Sequence, residues 1–432
     1  MKVKEFSWYS WVIVVLVLGS LFLLFFFGSN SMSSEFGVVN LKSQFNTYFV
    51  LDFVGFSLSL IAIFLALAIL FFFNVLSSCS VNFVLLSLIS AVLSFNANHA
   101  FVFWWFYEMS IISLLYLLIV ESPYSERYIA GWYLSGYVVL TSLPMLLCIV
   151  YFVVSHGSWN IGEWQMHGNA GISFSGEVMI LLSILFVTKI PLPPFHVWLP
   201  IVHAEATSVV SVCLSGYIMK LGLLGVVRFC WWVAPDVVFN LTYVGVVFLL
   251  SLLFFMIASW ELDGKRWLAF LSLSHIVVCI VCLNSAFFNN GGLFLVYSLG
   301  HGLSAGLVFV LLWWGYELSG SRNWLILKSV LGGSNMFRFL YTGCLCTAAS
   351  LPPVLNFFVE INILNSVGVS SVLLFYVFCF YLFLSSLIPL FLVGISLSRQ
   401  FCHTVNTTNS VVQWNLFIFF ILTWSFIIFI YM

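Results

Sequence analysis

Four ionisable residues stand where an apolar chain should reject them. Glu108 lies in Trp-Trp-Phe-Tyr-Glu-Met, Lys189 precedes Ile-Pro-Leu-Pro-Pro, Lys220 lies in Ser-Gly-Tyr-Ile-Met-Lys-Leu-Gly, and Glu360 lies in Asn-Phe-Phe-Val-Glu-Ile-Asn. A charge at the centre of a spanning helix costs about 2.5–3.5 kcal/mol on insertion scales, so such groups face the bundle interior, pair with one another, and mark ion or proton pathways. Two acids and two bases on four different segments are more than one structural ion pair needs. The bland reading, in which Glu108 and Lys189 merely lock two helices, leaves Lys220 and Glu360 without a purpose. His275, in Ser-Leu-Ser-His-Ile, and His301, in Gly-His-Gly-Leu-Ser, add two imidazoles inside apolar runs. Imidazole titrates near neutrality and passes a proton from one nitrogen to the other, so these two fit relays. His196 and His203 follow the prolines, where a structural and a functional role weigh equally.

Other chemistries find little support. There is no P-loop, no Gly-rich turn after a strand, and no cysteine cluster for iron–sulfur. Ten cysteines are scattered through apolar stretches. Cys279 and Cys282 form a C-x-x-C with no second pair, which reads as two buried thiols, and Cys344 and Cys346 point to different helix faces. Haem ligation remains a rival, because His275 and His301 could face each other across two helices. The surrounding lysines and glutamates fit a proton path better.

The elements that must position these groups are membrane helices. The chain is 63% hydrophobic and only 6% charged over 432 residues, with a mean hydropathy of +1.16. A soluble domain carries about 25% charged residues. Stretches such as 49–73 are apolar on every side, which excludes the alternation of a membrane β-barrel. The net charge of −1 gives no attraction to nucleic acid. The Phe count of 48 carries no mechanism. Windows of ~20 apolar residues predict thirteen spans, at 8–27, 48–73, 80–97, 100–120, 131–155, 174–190, 208–229, 236–259, 266–284, 290–314, 338–362, 370–395 and 412–431. The fold class is therefore an all-α polytopic membrane protein, a single transmembrane domain over 1–432, with short loops. The first run is as long as a full span and shows no small-residue cleavage site, so it reads as a retained helix. Two spans are interrupted, after Lys189 and at Leu351-Pro352-Pro353. Proline removes a donor and clashes with the preceding turn, and the freed carbonyls survive at membrane depth only inside protein or beside a wet cavity. Broken helices beside charges are a transporter pattern. Alternating sides places Lys2, Lys4, Arg127, Lys265, Arg266, Arg322, Lys328, Arg338 and Arg399 on the side of the N-terminus, against Lys42 and Arg228 on the other. That bias puts the N-terminus inside, in a cytosol or a mitochondrial matrix, and the C-terminus opposite.

At these residues the chain resembles the antiporter-like subunits of respiratory complex I, which are related to the multi-subunit Na⁺/H⁺ antiporters. The stretch from Thr188 to Ala206, Thr-Lys-Ile-Pro-Leu-Pro-Pro-Phe-His-Val-Trp-Leu-Pro-Ile-Val-His-Ala-Glu-Ala, is similar to the family's signature, and Lys220-Leu-Gly-Leu-Leu-Gly-Val-Val-Arg228 to its second motif. Asp263-Gly-Lys265, Ser274-His275 and His301-Gly-Leu also fall in pattern. The likeness covers roughly 48–395, an antiporter-like core. It departs at Val202, Thr207 and Leu223, where the family has Ala, Pro and Gly, and it has one span fewer than the family's usual fourteen.

The resemblance implies that Glu108, Lys189, Lys220 and Glu360 form a proton path, with His275 and His301 as relays between Lys220 and Glu360, in that order, and with Lys265 a further candidate. It also implies proton translocation in the mitochondrial inner membrane, driven by a redox reaction in partner subunits. Flavin, iron–sulfur clusters and ubiquinone would be bound by those partners and none by this chain, nor any metal. A glutamate as the last membrane charge marks one of the family's three main complex I members. The two lysine-bearing members, chains 2 and 5, would be neighbours in the membrane arm, with membrane lipids around. The alternative within the family is a cation/proton antiporter subunit of the Mrp type. A third reading is a scaffold whose buried charges only lock helices.

Overall fold

The computed structural model describes residues 48–70, 76–167, 176–231, 240–285, 292–331, 335–398 and 411–430. The expected first span, 8–27, lies outside them. Among the described residues the structure is helical, and the only extended pairings are single bridges, Phe49 with Ala97, His99 with Asn160, and Asp263 with Asn323. The helices are α1 (Phe53–Leu70), α2 (Ser78–Phe95), α3 (Ala100–Glu121), α4 (Arg127–His156), α5 (Ile161–His167), α6 (Gly176–Lys189), α7 (Trp198–Glu205) and α8 (Ser208–Cys230). They continue with α9 (Leu241–Trp260), α10 (Gly264–Ser285), α11 (Leu293–Ser319), α12 (Trp324–Leu331), α13 (Asn335–Ala348), α14 (Leu355–Ser370), α15 (Val372–Leu397) and α16 (Val411–Ile430).

Eight of these are long and apolar enough to cross a membrane, and α1 and α16 carry shorter apolar stretches. Each expected span after the first falls on a described helix or on a pair of short ones. The pairs lie where proline predicts them. α6 stops at Lys189 and α7 begins at Trp198; α13 stops at Ala348 and α14 begins at Leu355. A helix that is hydrophobic all round must be buried in protein or in lipid, and both cases occur. α8, α10 and α11 are buried along nearly their whole length, whereas α4, α9 and α15 present most of theirs outward. Leu140, Leu143, Val154, Trp260, Phe380 and Phe391 are exposed on those outer helices, a surface that only hydrocarbon solvates favourably. The three inner helices carry Lys220, His275 and His301. These three titratable groups thus lie in the layer that lipid does not reach.

Candidate functional site: a buried row of titratable groups

The row begins where α6 breaks. Lys189 is the last residue of α6, and its Nζ donates to Glu108 Oε1 of α3 at 3.1 Å, with both side chains buried. The ammonium also sits 4.4 Å above the Tyr107 ring, a cation–π contact. The helix end is finished by protein, because Trp198 Nε1 donates to the Thr188 carbonyl at 3.1 Å. The break therefore leaves Lys189 at the end of a capped half-helix, aimed at a carboxylate.

Glycine brings α8 against this point. A Cβ on Gly222 would stand 2.8 Å from Ile190 Cγ1 and 3.3 Å from the Lys189 carbonyl carbon, and one on Gly225 would stand 2.1 Å from the Phe186 ring. Both positions need the missing side chain for close approach. Lys220 is fully buried one half-turn before Gly222. No carboxylate among the described residues lies within 4.0 Å of it, and its Nζ donates instead to the Ser215 carbonyl at 2.5 Å. That acceptor exists because α8 widens into a π-turn over Leu214–Ile218, where the Met219 N–H bonds to Leu214 rather than to Ser215. π-turns recur at functional sites, and here one turns a helical carbonyl towards the lysine.

Beyond Lys220 come the two histidines, whose ring centroids are 5.8 Å apart. His301 is within electrostatic reach of Lys220. His275 meets Tyr381 OH at 2.6 Å and Tyr297 OH at 3.2 Å through Nδ1. The two hydroxyls are 3.1 Å apart. Tyr297 OH donates to Glu360 Oε1 at 3.4 Å, and Ser350 Oγ donates to the same oxygen at 3.0 Å. The spatial order is thus Lys220, His301, His275, tyrosines, Glu360, which reverses the histidine order expected from the sequence. The reason is packing. Gly300 and Gly302 flank His301 and press its helix against Asn356 of α14 and the Gly216 carbonyl of α8, so His301 is held beside α8.

Ser350, in the second break, has a φ of 53°, a left-handed backbone uncommon for a non-glycine residue. It turns the hydroxyl onto Glu360.

Lys265 is buried at the end of the bundle where α3 ends and α10 begins. Its Nζ donates to the Ala206 carbonyl at 2.7 Å and stands 5.3 Å from the Tyr124 ring. The same ring is capped by the Arg322 guanidinium at 4.2 Å, and Arg322 pairs with Asp263 at 3.5 Å. Burial pushes the Tyr124 phenol above its ordinary pKa. At the opposite end Arg228 binds Asp52 at 3.0 Å and the carbonyls of Ala97 and Phe95 at 2.8 and 2.6 Å. His203 is buried against Phe309, their rings stacked at 4.8 Å. His196 lies 4.8 Å from the Phe254 ring. No hydrogen bond among the described residues joins either of them to the row. Among the described residues no three His, Cys, Asp or Glu side chains gather as for a metal.

Sequence reasoning did not find Tyr107, Tyr297, Tyr381, Ser350 or the Ser215 carbonyl. Tyr297 had a signal, being one turn before His301 on α11. Tyr381 had none, because α15 carries no charge to draw attention to it.

A family model described as NADH:quinone oxidoreductase/Mrp antiporter, TM, matches residues 97–388. NADH-ubiquinone oxidoreductase chain 4 of Ceratitis capitata is 32% identical over 320 residues, 72% of this chain and 70% of that one. The protein of the same name from Caenorhabditis elegans is 27% identical over 304 residues, 70% of this chain and 72% of the other. Among solved structures, a chain of respiratory complex I from Thermus thermophilus superposes with a TM-score of 0.77 at 20% identity, covering 88% of this chain and 82% of that one. A chain of the Mrp complex from Dietzia sp. DQ12-45-1b gives 0.71 at 17%, with 92% and 76% covered.

Proposed function

The chain belongs to the NADH:quinone oxidoreductase/Mrp antiporter transmembrane family, and on that premise we propose that it is the chain 4-type, proton-translocating core membrane subunit of respiratory complex I. It is one member of a multisubunit membrane complex. The neighbours in our reading are the chain 2 and chain 5 antiporter-like subunits, and flavin, iron–sulfur clusters and ubiquinone stay with partner subunits. The membrane is the mitochondrial inner membrane, with the N-terminus in the matrix and the C-terminus in the intermembrane space. Residues 48–395 form the translocating core of a single transmembrane domain.

One observation carries this reading: six titratable groups, Glu108, Lys189, Lys220, His301, His275 and Glu360, are buried in one sequence across the bundle. In the resting state Glu108 holds Lys189 as an ammonium. A change of charge in a neighbouring subunit draws Glu108 away from it. The pair interaction is about 4 kcal/mol at ~4 Å in an effective dielectric of ~20. That charge change supplies the cost of separating the pair, and Lys189 then lacks the carboxylate that stabilised its ammonium. Moving a proton against the membrane potential costs ~2.3 kcal/mol per 100 mV, so the stabilisation lost is of the order needed to send the proton onward. Lys220 accepts it through buried water and passes it by His301 and His275 to Glu360. Lys265, beside Tyr124 and Arg322, is a candidate for supplying protons from the matrix end.

Replacing Lys189 with Ala in the assembled complex tests this. Coupled pumping should be lost while NADH oxidation by the partner subunits continues, and pumping at full stoichiometry would overturn the proposal. The fold likeness to the Mrp complex supports a second reading, a cation/proton antiporter subunit. NADH-independent Na⁺/H⁺ exchange in vesicles would favour it.

A further inference from the structure

The stretch between His275 and Glu360 differs from the rest of the row. Elsewhere the row has one direct contact, Lys189 with Glu108 at 3.1 Å, and the two histidine rings stand 5.8 Å apart between centroids. Here each group touches the next. His275 Nδ1, Tyr381 OH, Tyr297 OH and Glu360 Oε1 are joined by contacts of 2.6, 3.1 and 3.4 Å, and Ser350 Oγ closes on Glu360 from the other side at 3.0 Å. All four side chains of the chain itself are buried. Phe248, Phe255 and Phe378 pack on the Tyr381 ring with centroids 5.5, 5.3 and 5.5 Å away, which fixes its orientation.

Resting on the reading above, we infer that the hydroxyls of Tyr381 and Tyr297 are the proton carriers between His275 and Glu360, and that they make this stretch selective for protons over metal cations. The steps balance atom by atom. His275 takes a proton at Nε2 and gives the one on Nδ1 to Tyr381 oxygen. Tyr381 passes its original hydroxyl proton to Tyr297 oxygen, and Tyr297 passes its own to Glu360 Oε1. One proton enters at the imidazole and one carboxylate becomes a carboxylic acid, while both phenols end neutral with their O–H bonds reversed. Release of the proton from Glu360, rotation of the two hydroxyls, and a turn of the His275 ring that brings its N–H back to the Tyr381 side reset the chain.

The selectivity follows from spacing. A metal cation passing through must replace its hydration shell with protein oxygens arranged around it. These oxygens are instead closed on one another at hydrogen-bond distance, with aromatic rings behind them. A proton needs only the bonds already present.

The test uses the assembled complex in proteoliposomes driven by NADH, with Glu360→Gln measured in parallel. Tyr381→Phe and Tyr297→Phe, singly and together, should lower pumping to the Glu360→Gln level, since loss of a positioned proton carrier slows transfer on the order of 10²-fold. Fluorotyrosine at both positions alters O–H acidity and hardly alters shape. It should shift the pumping rate even if a Phe variant fails to assemble, a shift that tyrosines serving only as packing would not produce. Radioactive sodium should not be taken up by the wild type or by either variant. Wild-type pumping in the double Phe variant, or no effect of fluorotyrosine, would overturn the inference, as would sodium uptake abolished by Tyr381→Phe. Normal pumping in Glu360→Gln would instead overturn the function on which it rests.

Discussion

Lys189 Nζ and Glu108 Oε1 are 3.1 Å apart, on α6 and α3, and neither side chain reaches the surface of the bundle. An ion pair so placed is a poor source of stability, because taking two charges out of water costs about what their attraction returns. It is a good switch for the same reason, since small displacements change a large, weakly screened energy. Removing one partner leaves an uncompensated buried charge, at a cost of about 3–5 kcal/mol. Glu108→Gln should therefore lower both assembly and pumping, and Glu108→Gln with Lys189→Met should recover assembly alone. Charge reversal of both residues, scored by native electrophoresis and by protons per electron, separates the switch from a mere lock. Recovery of both readouts would favour the lock.

The approach of α8 to the first break depends on two absent side chains. A Cβ on Gly225 would overlap the Phe186 ring at 2.1 Å, and one on Gly222 would press on the Ile190 backbone nitrogen at 3.2 Å. Gly225→Ala should destabilise the subunit by about 1–3 kcal/mol, the range for overpacking. Phe186→Leu in the same chain should return part of that loss, read as recovery of assembled complex. Gly222→Ala should not be rescued by Phe186→Leu, since its clash is with the break itself.

Arg228 ties α8 to the end of α2 and to the residue before α1 by three different acceptors. Arg228→Lys keeps the charge but loses the planar fork that reaches several oxygens together. A loss of about 1–3 kcal/mol is expected for Arg228→Ala from the acceptors left behind, with a smaller loss for Lys. Thermal unfolding of the detergent-solubilised complex measures the difference. Pumping per assembled complex should not change, because Arg228 lies outside the row.

Burial raises the Tyr124 phenol above its ordinary value near 10. The sign follows from proton counting. Above about pH 10 the unfolded chain releases this proton while the folded one keeps it, so stability is full below that pH and is lost as pH rises towards the folded value. Tyr124→Phe keeps the ring under Arg322 and near Lys265 but has no proton to lose. The variant should lose less thermal stability than the wild type between pH 9 and 11. Equal slopes would show that Tyr124 makes no such contribution.

What the sequence determined alone was the medium, the class of fold and the expensive residues. A 6% charged chain cannot face water, so every internal Glu, Lys or His stands out, and prolines beside Lys189 and before Glu360 mark the two breaks without any coordinates. These signals are one-dimensional: hydropathy, proline and charge are properties of single residues or short windows. The tertiary structure decided the order of the row and its links. His301 lies on the Lys220 side because glycines at 300 and 302 pin α11 against its neighbours, a contact between helices far apart in sequence. Tyr381 joins His275 from 106 residues away, and a tyrosine in an apolar helix costs too little to be conspicuous. The carbonyl that receives Lys220 appears only when α8 widens into a π-turn. Proton transfer depends on distances of a few tenths of an ångström between groups on different helices, and those distances are set by packing, which no single segment of the chain contains.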